Sequence, residues 1–98
     1  MADDVTHLSL DGEMTIYRAA DLKVTVLEAL RKTRALEIDL SAVTELDTAG
    51  LQLLMLAKQT AAAEQRELRL VRHSPAVVEI FAMLDLGAFF GDTVLTHA

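Results

Sequence analysis

The sequence predicts a single α/β domain spanning residues 1–98, with a mixed β-sheet flanked by helices. Three observations predict it. Apolar residues recur at every second position near the N-terminus and again at Leu36, Ile38 and Leu40, which is the period of a half-buried strand. Between and after these runs they recur at helical spacing. A length of 98 residues with 52% hydrophobic side chains suits one compact core and is too apolar for a disordered chain.

Within Val5 to Leu10, Leu8 and Leu10 hold alternate positions, and after Asp11-Gly12 the alternation resumes at Met14 and Ile16. An Asp-Gly pair between two alternating runs is a hairpin signal, because glycine adopts the positive φ that such turns demand. Two antiparallel strands are therefore expected to open the domain. From Ala19 to about Lys32, Leu22, Val26, Ala29 and Leu30 fall on one helical stripe, with Lys23, Glu28 and Arg31 on other faces. Leu36, Ile38 and Leu40 alternate with Glu37 and Asp39 as a third strand, and Ser41 to Asp47 reads as the connection to a long apolar helix from Thr48 to about Glu64.

Leu68 and Leu70 mark a fourth strand. Ser74-Pro75 opens a further helix, since a serine caps free amides and a proline at the first helical position loses no hydrogen bond. That helix runs through Phe81 to about Leu84. Gly87 and Gly91 punctuate the remaining residues, so Ala88 to Phe90 reads as a short turn, and Thr93 to Leu95 as either a short edge strand or a frayed tail. Strand-helix-strand units in this order are expected to be right-handed crossovers between parallel strands.

Composition removes several classes of function. Fifteen acidic side chains against nine basic ones give a net charge of −6, which disfavours a nucleic-acid partner. No run approaches the roughly 20 apolar residues of a membrane span. The start, Met1-Ala2-Asp3-Asp4, is acidic where a signal peptide is basic. A cytoplasmic protein with no direct membrane insertion is expected. The absence of cysteine excludes disulfides, zinc-thiolate sites and thiol catalysis. His7, His73 and His97 are too scattered to form a ligand pair on one helical turn, so no metal and no cofactor are expected. A threonine nucleophile needs an adjacent base, and only His73, at the end of the fourth strand, is a candidate. It reads as a capping or surface residue, and no enzymatic activity is expected.

The informative stretch runs from Asp39 to Leu56. Asp47 stands where the long helix begins, and Thr48 falls in its first turn, where backbone amides lack intrahelical partners. A phosphate on Thr48 would be tolerated there, because a helix N-terminus carries partial positive charge and free N–H donors. It would bring about 1.5 to 2 negative charges to the surface beside Asp47. Gly50 lacks a side chain and permits close approach of a partner's backbone. Leu51, Leu53, Leu54, Met55 and Leu56 surround the helix, so either neighbouring elements cover both of its sides or an apolar patch remains for docking. Met55 suits such a patch because its side chain adapts to different shapes. Taken alone, a threonine after an aspartate cap is equally a good helix start.

The same stretch resembles the phosphoacceptor region of the STAS family, found in bacterial anti-sigma factor antagonists and in the cytoplasmic tails of sulfate transporters. Asp39-Leu40-Ser41 and Asp47-Thr48-Ala49-Gly50-Leu51 carry the likeness. Gly12-Glu13 is similar to the Gly-Glu of the family's second strand, and Ser74-Pro75-Ala76-Val77 with Ile80, Phe81 and Leu86 to its final helix. Thr15 stands where antagonists that bind sigma-factor kinases usually carry an aspartate, and Thr48 where they usually carry serine.

The resemblance implies a mixed sheet of four or five strands with helices. It also implies a regulatory protein-binding module in which a serine/threonine kinase that is itself an anti-sigma factor phosphorylates Thr48, a phosphatase restores it, and partners are exchanged. Asp47, Ala49, Gly50, Leu51, Gln52 and Met55 are the expected partner-binding residues. The Asp-Thr-Ala-Gly loop is equally similar to that of stand-alone STAS proteins in chemotaxis-type signalling complexes. It is similar too to that of STAS accessory subunits of lipid-transport ABC ATPases, in which the threonine serves packing and is not phosphorylated.

Overall fold

The computed structural model describes residues 5–84. The order of elements is β1 (Val5–Met14), α1 (Ala19–Arg31), β2 (Ala35–Leu46), α2 (Thr48–Ala63), β3 (Glu67–Val71) and α3 (Pro75–Leu84). The α/β character and the helix positions agree with the sequence pattern. The strands form one sheet in the order β1-β2-β3, and both pairings are parallel.

Residues in register form rows across the sheet. Leu8, Ile38 and Leu70 make one row, and Leu36 with Leu68 belongs to the next on the same face. Helices α1 and α2 bury this face with Leu22, Val26 and Leu30 from one and Leu51, Leu53, Leu54, Ala57 and Ala61 from the other. Glu37 and Asp39 alternate with the core residues, as the period of two requires, and point the other way. There Glu37 pairs with His7 at 2.9 Å and Asp39 with Arg72 at 3.4 Å. Helix α3 begins as its sequence suggests: Ser74 Oγ accepts from the Val77 amide at 3.3 Å, and Pro75 is the first helical residue.

Two expectations about strands need correction. The hairpin at Asp11-Gly12 does not form, and Val5 to Met14 is one continuous strand running parallel to β2. Gly12 does have a positive φ of 72°, but it uses this freedom within the strand. The Arg18 guanidinium closes over that bend, its Nη1 donating to the carbonyls of Asp11 at 2.6 Å and Glu13 at 3.0 Å. Ile16 consequently lies in the turn before α1, exposed, and not on a second strand. The sheet among the described residues has three strands, all parallel, where four or five in a mixed arrangement were expected. The segment Thr93 to Leu95, a possible fifth strand, and the turn at Ala88 to Phe90 lie outside the described residues.

The segment Ser41 to Leu46, expected as a connection, is strand. Pairing with β1 shifts between Ser9 and Asp11 and again between Gly12 and Glu13, and each shift accommodates one additional residue of β2. The inward residues therefore fall at Leu40, Val43 and Leu46, three apart. That spacing has no strand period, which is why the sequence looks irregular here. The first shift is held by the Asp39 carboxylate, which accepts from the Ser41 amide at 2.8 Å. The Asp39-Leu40-Ser41 motif thus has a structural task in the strand.

The N-terminal turn of α2 sits directly on the end of β1. A Cβ built on Gly50 would lie 2.1 Å from the Met14 carbonyl oxygen and 2.9 Å from Leu46 Cδ1. Backbone occupies the space, so no rotamer change relieves the overlap. Gly50→Ala is expected to cost about 3 kcal/mol, read as a lower urea midpoint in equilibrium unfolding.

Candidate functional site

Asp47 organises the carboxyl end of the sheet. Its backbone is extended (φ −111°, ψ −173°), which places its side chain over the start of α2 as an N-cap. Oδ1 accepts from the Gly50 amide at 3.0 Å, and Oδ2 accepts from the Ile16 amide at 3.0 Å. The Asp47 amide itself donates to the Met14 carbonyl at 3.2 Å. One residue therefore joins the end of β1, the turn before α1 and the first turn of α2. The amide donors, Gly50 first and Ile16 second, hold its carboxyl below the ordinary aspartate value.

Thr48 is the first residue of α2 and is exposed, so its side chain reaches solvent as the phosphoacceptor reading requires. Gln52, one turn further on, is exposed as well, and Ala49 and Met55 are half-buried. Gly50 and Leu51 lie elsewhere: both are buried, Leu51 at 8% exposure. Close approach at Gly50 is made by the domain's own Met14 carbonyl, which displaces the expectation that a partner's backbone fits there. Most apolar residues of α2 are likewise taken up by the sheet and α1, leaving a smaller patch than the all-round pattern suggests.

The exposed apolar surface at this end comes instead from Ile16, 69% exposed, and Tyr17, 90% exposed, in the turn that Asp47 holds. Sequence reasoning misses both, because the alternation through Met14 assigns Ile16 to a strand. Beside them a cleft of about 280 Å³ opens between α1 and α2, lined by Ala19, Ala20, Lys23, Ala49, Gln52, Leu53 and Leu56. On the opposite flank Thr15, Glu45, Asp47 and Glu79 contribute to a second, acidic cleft of about 330 Å³. Thr15 is buried, and its hydroxyl has no hydrogen-bond partner among the described residues. His73 packs its ring edge-on to Phe81 at 5.5 Å. Among the described residues no group of three or more histidine and carboxylate side chains could hold a metal ion, and no helix is long and apolar enough to cross a membrane.

The hydrogen bonds of Asp47 make stability depend on pH with a definite sign. Because its carboxyl titrates lower in the folded chain than in the unfolded one, its contribution is complete above the ordinary aspartate value of 3.8 and is lost as pH falls through the lowered value. Asp47→Asn is expected to lower Tm at neutral pH and to flatten the loss of Tm below about pH 4. Thermal unfolding of both proteins across that range measures it.

A family model described as "Mlab, STAS domain" matches residues 1–96. No curated protein sequence matches the chain significantly. Among solved structures, an anti-sigma factor antagonist from Mycobacterium paratuberculosis is 25% identical with a TM-score of 0.81, over 99% of this chain and 87% of that one. The anti-sigma factor antagonist SpoIIAA in its unphosphorylated form is 19% identical with a TM-score of 0.70, over 90% and 79%. The STAS domain of a SulP transporter from Vibrio cholerae is 14% identical with a TM-score of 0.69, over 93% and 71%. With the fold, the Asp47 cap and a match over nearly its full length, the chain belongs to the STAS domain family.

Proposed function

We propose that this chain is a regulatory protein-binding module, similar in action to an anti-sigma factor antagonist, whose docking surface is switched by phosphorylation of Thr48. The observation that carries the reading is the exposed Thr48 in the first turn of α2, beside an aspartate fixed by two amides. The likeness to the mycobacterial anti-sigma factor antagonist supports a protein partner of the anti-sigma factor class; a serine/threonine kinase of that class, or a chemotaxis-type signalling complex, is the partner in this reading. Ile16 and Tyr17, in the turn tied to Asp47, support docking, since exposed large apolar side chains in one place favour a protein contact.

The chemistry asked of the domain is small. A phosphoryl group passes from a nucleoside triphosphate to Thr48 Oγ1, the nucleoside diphosphate leaves, and the hydroxyl proton is released. The Asp47 cap is made by side chain and backbone amides that do not involve the hydroxyl, so the fold is expected to persist when the charge is added. A partner that had met a neutral hydroxyl among apolar groups must then desolvate a dianion.

Thr48→Asp is expected to reduce recovery of the partner in a pull-down from the source cells by tenfold or so, a loss of about 1.4 kcal/mol, while Thr48→Ala retains it. Phosphate on the Thr48 peptide by mass spectrometry is the second expected result. Equal recovery with both variants sinks the switch. One other reading is an accessory subunit of a lipid-transport ABC ATPase, to whose STAS subunits the Asp47-Thr48-Ala49-Gly50 loop is also similar. Co-purification with an ATP-binding subunit and no phosphate on Thr48 would select it.

A further inference from the structure

The cleft between α1 and α2 carries one cation at its rim. Lys23 of α1 lines it opposite Ala49 and Gln52 of α2, with Leu53 and Leu56 also in its wall. Thr48 does not itself line the cleft, but it directly precedes Ala49 and stands one turn before Gln52, both of which do. Lys23 is exposed and takes part in none of the ion pairs among the described residues. Its near neighbour Asp21 is two residues away on α1 and so faces another direction. The other cation at this end, Arg18, is committed to the carbonyls of Asp11 and Glu13.

We propose that Lys23 is the intramolecular receptor for a phosphate on Thr48. Its ammonium donates to the phosphoryl oxygens across the mouth of the cleft, linking α1 to α2 and covering the apolar wall formed by Ala49, Leu53 and Leu56. The proposal rests on the Thr48 switch and specifies its regulation: the modified protein conceals its docking surface from within, in addition to presenting charge. A long flexible stem suits the task, because Lys23 stays in water when Thr48 is bare and swings over when the dianion arrives.

The test needs no kinase. Phosphothreonine installed at position 48 during translation gives the modified chain directly, and ³¹P NMR follows the second ionisation of its phosphate. Lys23→Met is expected to move that ionisation up by about half a pH unit, since a nearby cation favours the dianion. Lys32→Met, at the far end of α1, should leave it in place. Lys23→Arg should restore the wild-type midpoint. The same midpoint in wild type and Lys23→Met overturns the receptor, whatever the cells do to Thr48. Absence of phosphate on Thr48 in cells overturns the switch, and the installed phosphate still reports on Lys23.

Discussion

The carboxylate of Asp47 accepts from two amides that belong to different parts of the chain, Gly50 at the start of α2 and Ile16 before α1. The residue's own amide adds a third tie, to Met14 at the end of β1. An N-cap ordinarily completes one helix. Here it also fixes how the turn before α1 meets the first turn of α2, and the surface around Thr48 is the product of that meeting. Gly50 is the steric counterpart of the same constraint, since only a residue without Cβ lets α2 settle on the Met14 carbonyl.

This arrangement separates the work of α2 along its length and around its axis. Leu51, Leu53, Leu54, Ala57 and Ala61 belong to the core, so they hold the helix rigidly and are not free to contact another protein. What remains at the surface is narrow: Thr48, Gln52, the rim of the cleft, and the turn bearing Ile16 and Tyr17. On the proposed reading, a small site on a fixed platform is sensitive to one added charge, because a partner has few other contacts with which to compensate.

The sequence was legible where one period governed a whole element. Leu22, Val26 and Leu30 named the inner stripe of α1, and Asp47 with Ser74-Pro75 named two helix starts, all of which the structure reproduces. It was illegible where long-range pairing set the conformation. Asp11-Gly12 has the composition of a tight turn, yet pairing with β2 and the Arg18 clamp keep β1 running through it. The burial of Gly50 and the exposure of Ile16 arise from contacts between β1 and α2, which lie more than 30 residues apart and leave no local signal. The aspartate cap before an apolar run located Thr48 at a helix start, but neither it nor the family resemblance carried information on which neighbours face outward.

The two extra residues of β2 give this strand a property that its loop-like composition conceals. A regular strand cannot accept one added residue without turning every later side chain to the other face, whereas each bulge here absorbs one, so Val43 and Leu46 still face the core. Removing the additional residue at either bulge would restore the period of two and leave Leu46 inside, with Asp47 still placed to meet Ile16 and Gly50. The two bulges are thus points where this strand can change length by one residue and keep the carboxylate on the same side.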